Sequence, residues 1–300
     1  MNAIEIRNLS KNFGQKQALN GLNMTVPVGS IYGFIGENGS GKSTTEKLIC
    51  GLLVPSGGDI KLFGRDYKDQ DVRAKVGVLI EAPGCFPGLS VWNNMMLQAA
   101  NLGLQNAEEE VRKVLKIVRM EGSAGSKFKF CSLGMKQRIG IAFALLGNPA
   151  LLILDEPING LDADGMRIMR EVLVDITKNY HCTVVISSHI LGELEKIATH
   201  YGIVRGGRMI KEMTAEEFHA ECRTFVALKT RDMWGTKALL ARRFARVDMD
   251  ETNEYIRVYD AQNVEEVVTY LYRSGVLVSE VKTAKIGLEE YYIDLMREGR

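Results

Sequence analysis

The sequence predicts an α/β fold with a largely parallel core sheet, an inserted helical subdomain and a small α+β domain at the C-terminal end. Three observations predict it. Short β-type runs alternate with helical patterns through the first two thirds of the chain, strand signals vanish between about 85 and 147, and the texture changes again after Glu212.

In order, IEIR (4–7), LNMTV (22–26), IYGFI (31–35), VGVLI (76–80), LLIL (151–154), TVVIS (183–187) and GIVR (202–205) read as strands. Helical patterns cover 42–51, 107–119, 133–147, 164–178 and 190–198. Further on, 222–229, 236–244, 254–259, 262–273 and 276–282 read strand, helix, strand, helix, strand. VDMD (247–250) is a further candidate strand that would complete a ferredoxin-like βαββαβ order. The expected division is therefore residues 1–221 for the sheet domain, with its helical insertion at about 85–147, and 222–300 for the α+β domain. In the closing segment Leu288, Tyr291, Tyr292 and Leu295 share one helical face, as in an amphipathic helix packed on its own domain.

The 300 residues are 46% apolar and 25% charged, the balance of a globular protein. Lys and Arg (38) match Asp and Glu (37), so no excess of positive charge points to nucleic acid. Cys50, Cys85, Cys131, Cys182 and Cys222 are scattered, odd in number and without a CxxC pair, which suits reduced thiols in a cytoplasm. MNAIEIRNLSKNFG lacks the basic and apolar regions of a secretory signal. No apolar run approaches the roughly 20 residues of a membrane span; IGIAFALLGNPALLIL is cut by Gly147, Asn148 and Pro149. If the protein works at a membrane, another chain must cross it.

GENGSGKST (36–44) directly follows the strand IYGFI and leads into a helix, the setting a phosphate-binding loop requires. Gly39 and Gly41 let the backbone curl so that its N–H groups converge on phosphate oxygens, with Gly36, Asn38 and Ser40 completing the loop. Lys42 can reach the β and γ phosphates, Ser43 can bind Mg²⁺, and Thr44 can donate to the α phosphate. LLILDEP (151–157) is a buried strand ending in two acids. Asp155 suits Mg²⁺, and Glu156 can polarise a water for attack on the γ phosphate, a need of hydrolases rather than kinases. The alternative for Glu156 is a capping acid before PINGLDADG. Glu81, in VLIEAPG, raises a similar choice, since a carboxylate at a strand end is often only a solvated turn residue.

With CSLGMKQR (131–138), NGLD (159–162) and ISSHIL (186–191) added, the chain resembles the ATP-binding subunits of ABC transporters over about residues 3–225. The resemblance implies a P-loop NTPase fold and ATP hydrolysis with Mg²⁺. It also implies two such subunits sandwiching two ATP molecules, Ser132 and Gly134 of one subunit touching the γ phosphate held by the other. Asp162 would lie in the loop linking the two sites, His189 would hold the γ phosphate and attacking water beside Glu156, and Phe13, in KNFG, would stack on adenine.

Two departures stand out. The family's L-S-G-G-Q signature reads Cys131, Ser132, Leu133, Gly134, Met135. Glu81 stands where most members carry a glutamine that ligates Mg²⁺ and relays nucleotide state to the membrane subunits, which makes Glu81 a metal-site and coupling candidate. The glutamate, the SLGMKQR form and GLEEYYIDLM near the C-terminal end are similar to the subunits of lantibiotic-immunity and bacitracin-resistance exporters. The resemblance thus implies export of a peptide antibiotic through a separate membrane-spanning permease, with this chain at the cytoplasmic face of the membrane. An exporter of another substrate, such as lipid or polysaccharide, is the alternative. A soluble ATPase acting on ribosomes or DNA fits less well, because the sequence has one phosphate loop, one signature motif and no sustained heptads.

Overall fold

In the computed structural model, which describes every residue except Arg223, Glu251, Gly299 and Arg300, the chain divides into Met1–Ala215 and Glu216–Arg300. The first unit opens with a hairpin, β1 (Asn2–Phe13) and β2 (Lys16–Pro27), much longer than the runs at 4–7 and 22–26. Its far end carries Lys11, Asn12, Lys16 and Gln17, which break the alternation a sequence reading depends on. β3 (Ile31–Ile35) is buried along its whole length and runs through the glycine-rich loop into α1 (Lys42–Ile49). β4 (Gly57–Leu62) and β5 (Arg65–Asp66) follow, then α2 (Gln70–Arg73) and β6 (Val76–Leu79). The sequence reading lacks β4 and β5 because GGDIKL buries only Ile60 and Leu62 and RD buries nothing.

The helical insertion is built of α3 (Val91–Asn101), α4 (Ala107–Ile117) and α5 (Leu133–Leu145). α3 has no clean apolar stripe, since Asn94 lies on its buried face, where the amide accepts from Phe86 N–H at 2.7 Å. Ser90 caps its start by accepting from Asn93 N–H at 3.1 Å. Then come β7 (Leu151–Asp155), α6 (Ala163–Tyr180), β8 (Thr183–Ser188), α7 (Leu191–Leu194), β9 (His200–Arg205) and β10 (Arg208–Thr214). α7 is a single turn rather than the helix expected over 190–198, because Ile197 and Ala198 N–H both close on Leu194 O.

Two sheets result. One is antiparallel, in the order β2-β1-β4-β5; the other runs β10-β9-β3-β8-β7-β6, parallel from β9 to β6 with β10 antiparallel at one edge. The two enclose a shared core that includes Ile4, Met24, Phe34, Leu48 and Ile153. α5 lies so close on the parallel sheet that a Cβ on Gly77 would stand 2.0 Å from Ala144 O. Only glycine fits there.

The second unit takes most of α8 (Ala215–Glu221), so the division falls ahead of 221. Phe218 of α8 meets the Tyr291 ring edge-on at 5.4 Å, and Tyr291 Oη donates to Glu221 at 2.5 Å. β11 (Thr224–Thr230), α9 (Met233–Leu240), β12 (Val247–Met249), β13 (Ile256–Val258), α10 (Val264–Arg273), β14 (Val278–Lys285) and α11 (Leu288–Glu298) complete it. Arg223, inside the strand expected at 222–229, lies outside the described residues. The sheet is antiparallel with order β12-β13-β11-β14. Val226, Leu228, Ile256 and Val258 pack against Leu240, Val267 and Leu271 to form its own core. No helix among the described residues is long and apolar enough to cross a membrane.

Candidate functional site

Three neighbouring parallel strands bring the candidate residues to one edge. Ile35 pairs with Ser188 and Asp155 with Ser187, so the loop after β3, the acids closing β7 and His189 after β8 leave the sheet side by side. That is the carboxyl edge at which open α/β sheets bind ligands.

Backbone geometry dictates the loop's composition. Gly39 and Gly41 adopt φ of 81° and 114°, and a Cβ on Gly36 would lie 2.5 Å from both Ser40 Oγ and Val204 O. Gly36 and Ser40 are buried while Asn38 and Gly39 face outward. Lys42 Nζ folds back over the loop, donating to Gly36 O at 2.6 Å and Glu37 O at 3.2 Å. Ser40 Oγ is buried without a hydrogen-bond partner. Thr44 sits half-buried in the first turn of α1. Ser43 Oγ donates to Asp155 Oδ2 at 3.4 Å, and Asp155 Oδ1 accepts from Ser187 Oγ at 2.7 Å. A curled glycine loop with a lysine inside it suits a chain of phosphates, and a converging hydroxyl and carboxylate are the hard oxygen donors Mg²⁺ takes. These residues fit both groups.

Glu156 follows at once, with φ of 49° and its N–H donating to Ser187 O and Oγ at 3.2 and 3.1 Å. Its Oε2 stands 2.8 Å from His189 Nδ1 and 3.4 Å from His189 N. An ionised carboxylate only accepts, so the Nδ1 nitrogen carries the proton in this contact and Nε2 is left for a ligand. A left-handed non-glycine residue is costly, and such strain concentrates at functional sites.

Glu81 leaves β6, the strand beside β7, with φ of 68°. Its carboxylate pairs with Lys47 Nζ of α1 at 3.0 Å. A second group of residues starts two helices. Ser132 caps α5 by accepting from Met135 N–H at 3.3 Å, and Asp162 caps α6 by accepting from Gly165 N–H at 2.8 Å. Leu133 lies 3.0 Å, and Leu161 3.6 Å, from where Cβ atoms on Gly160 and Gly134 would stand, which joins the two helix starts. Phe13 is 47% exposed at the end of β1, with the Lys11 ammonium 5.0 Å from its ring centre.

Two residues escape the sequence reading. Ser187 clamps Asp155 and Glu156 together; its only sequence signal is its place two residues before His189. Glu46 is fully buried in α1, neither carboxyl oxygen having a hydrogen-bond partner. Burial, and then the Asp155 carboxylate, push its carboxyl up to about 8 against the pull of the Ser187 hydroxyl and Lys42. A glutamate four residues after Lys42, on the same helical face, was the available signal.

Residues 19–159 match the family model described as ABC transporter. The bacitracin transport ATP-binding protein BcrA of Enterococcus faecalis is 36% identical over 299 residues, covering 99% of this chain and 97% of that protein. The lantibiotic transport ATP-binding protein SrtF of Streptococcus pyogenes is 41% identical over 209 residues, 70% of this chain and 90% of that one. Among solved structures, cbiO1 from Clostridium perfringens, part of the ABC transporter complex cbiONQ, superposes with a TM-score of 0.68 at 29% identity, over 73% of this chain and 91% of its own. The loop around Lys42, the acids ending β7 and these likenesses agree: the chain belongs to the ABC transporter family, as an ATP-binding subunit that hydrolyses ATP.

Proposed function

We propose that this chain drives the export of a lantibiotic or a similar peptide antibiotic, such as bacitracin, and so serves immunity or resistance. The observation that carries the reading is the extent of the likeness to a bacitracin transport subunit, which runs through both units rather than the ATP-binding unit alone. The partners in this reading are a second copy of the chain and a separate membrane-spanning permease, which holds the pair at the cytoplasmic face of the membrane.

In the proposed mechanism the loop from Gly36 to Thr44 wraps the phosphates of ATP, and Lys42 swings from its own loop carbonyls onto them. Ser43 and Asp155 hold Mg²⁺, with Glu81 as a further oxygen ligand; the ion, when bound, neutralises charge on the phosphates. Glu156 takes the proton of the attacking water, and His189, its Nδ1–H on Glu156, keeps that carboxylate aimed and offers Nε2 to the γ phosphate. Ser132 and Gly134 supply the partner's site with γ-phosphate contacts, Asp162 links the two sites, and Phe13 stacks on adenine.

Expressing the chain with a candidate permease in a sensitive bacterium tests the reading. Protection against bacitracin or a lantibiotic, lost with Glu156→Gln, is the expected result. Active ATPase with no protection against either drug would favour the lipid or polysaccharide alternative.

A further inference from the structure

The turn that carries His189 has an anchor besides Glu156. Ile190 N–H donates to Ser188 Oγ at 3.0 Å, and the N–H groups of Glu193 and Leu194 close on Ile190 O at 3.2 and 3.3 Å. Leu191 and Leu194 are buried, so residues 188–194 form one tight unit. From it the Glu193 carboxylate reaches α6: its Oε2 accepts from Arg170 Nη1, and its Oε1 accepts from Lys196 Nζ at 2.6 Å. The two cations act differently. Lys196 lies three residues on in the same segment, whereas Arg170 sits 23 positions away on another helix and ties the turn to it. The Arg170 and Glu193 side chains are 22% and 14% exposed, a setting in which water and salt screen the pair little.

The chain thus leaves the sheet edge along two paths that are tied twice. One path runs from Asp155 through Glu156 into α6, the other from Ser187 through His189 into α7. Glu156 and His189 join them at the edge, and Arg170 and Glu193 join them further along.

We propose that Glu193 and Arg170 are positioning residues for ATP hydrolysis, fixing the turn so that His189 keeps its Nδ1–H on Glu156. The proposal rests on the roles of Glu156 and His189 given above. His189 N and Nδ1 stand 3.4 and 2.8 Å from the same carboxylate oxygen, so a shift of the turn stretches both contacts at once. An imidazole released from Glu156 can move its proton to Nε2, the nitrogen offered to the γ phosphate. Misplacement by ~1 Å at a reacting centre costs up to about a hundredfold in rate. The loop from Gly36 to Thr44 lies on other elements and keeps its hold on the nucleotide.

The test compares the purified full chain with Glu193→Gln, Arg170→Lys, Arg170→Met, His189→Ala and the Glu193→Gln/His189→Ala double variant. ATPase gives kcat and KM, urea unfolding checks the fold, and nitrogen-15 NMR of the nucleotide-free, histidine-labelled protein reads the His189 tautomer. The chain has four histidines, and the signal missing in His189→Ala assigns the one needed. Glu193→Gln is expected to lose about tenfold in kcat at unchanged KM for ATP and to show His189 as a mixture of tautomers. Arg170→Lys should recover most of the rate that Arg170→Met loses. Where Arg170→Met fails to fold, because it leaves the Glu193 charge without its partner, the isosteric Glu193→Gln carries the test. Glu193→Gln should add nothing to the loss already caused by His189→Ala, since it acts through that residue. Wild-type kcat in Glu193→Gln, an unchanged tautomer, or losses that multiply in the double variant overturn the positioning role and leave the reading of His189 intact. Wild-type turnover in His189→Ala defeats that reading itself and takes the proposal with it.

Discussion

Glu156 Oε2 stands 2.8 Å from His189 Nδ1, so the acid that follows β7 and the histidine that follows β8 form one unit although 33 positions separate them. Strand register makes the meeting possible. Asp155 pairs with Ser187, and the next residues of the two strands turn toward each other at the sheet edge. In the proposed mechanism this unit handles the attacking water and not the nucleotide's resting contacts.

Glu156→Gln is therefore expected to keep ATP affinity and to lower turnover by about a hundredfold or more, the range general-base catalysis supplies. The ATP-bound variant should accumulate as a dimer on size-exclusion chromatography. Turnover above about a tenth of wild type removes Glu156 from the role. Lys42→Ala should instead lose affinity, since it deletes a charge placed directly on the phosphates.

Turnover by the isolated chain should rise more steeply than linearly with protein concentration. Ser132 and Gly134 sit at the start of α5, outside the cluster of Lys42, Asp155 and Glu156, and act in the proposed reading on a partner's nucleotide. Activity strictly proportional to concentration, together with a monomeric ATP-bound Glu156→Gln variant, would count against the paired site.

What was legible in the sequence follows from how narrowly physics restricts each position. Gly36, Gly39 and Gly41 answer to backbone constraints that few other residues meet, and Asp155 and Glu156 break an otherwise apolar strand, so both stand out. Ser187 does not, because a serine within a buried strand is commonplace and its clamp on Asp155 exists only once β7 and β8 are paired. Glu46 was hidden for the opposite reason: within TTEKLI it looks like a solvated helix face, and only the packing of α1 against the strands, with Asp155 and Ser187 close by, buries it. β4 and β5 were missed because their few inward residues make no visible period, and α3 because its buried face includes the amide of Asn94.

Glu46 makes stability depend on pH with a definite sign. Its carboxyl sits at about 8 in the folded protein against an ordinary 4.5, so the folded state holds a proton over a range in which the unfolded chain has released it. The stability this gives is complete below the ordinary value, falls by about 1.4 kcal/mol per pH unit as pH rises, and is gone above the folded value. In the nucleotide-free protein, urea unfolding between pH 5 and pH 8 should therefore show wild type losing stability relative to Glu46→Gln, whose amide cannot titrate. Parallel curves would mean that Glu46 is ionised in the folded state.

The Lys47 and Glu81 pair yields the last expectation. Glu81 is 74% exposed and Lys47 34%, and an exposed pair of this kind contributes about 0–1 kcal/mol, so breaking it should leave the fold intact. Its importance lies in charge. A carboxylate beside Mg²⁺ brings a full negative charge where an amide brings none, and one unit charge about 4 Å from another is worth about 4 kcal/mol at an effective dielectric near 20. In the proposed mechanism Glu81 must leave its pairing with Lys47 to serve as a ligand. Glu81→Gln should thus keep ATPase activity with a shifted Mg²⁺ dependence and weaken antibiotic protection in cells, and Glu81→Ala, without any oxygen ligand, should be worse in both. Lys47→Met, which frees Glu81, should shift the Mg²⁺ titration toward tighter binding. If all three variants titrate with Mg²⁺ as wild type does and protect as well, Glu81 is a solvated turn residue paired with a nearby lysine and nothing more.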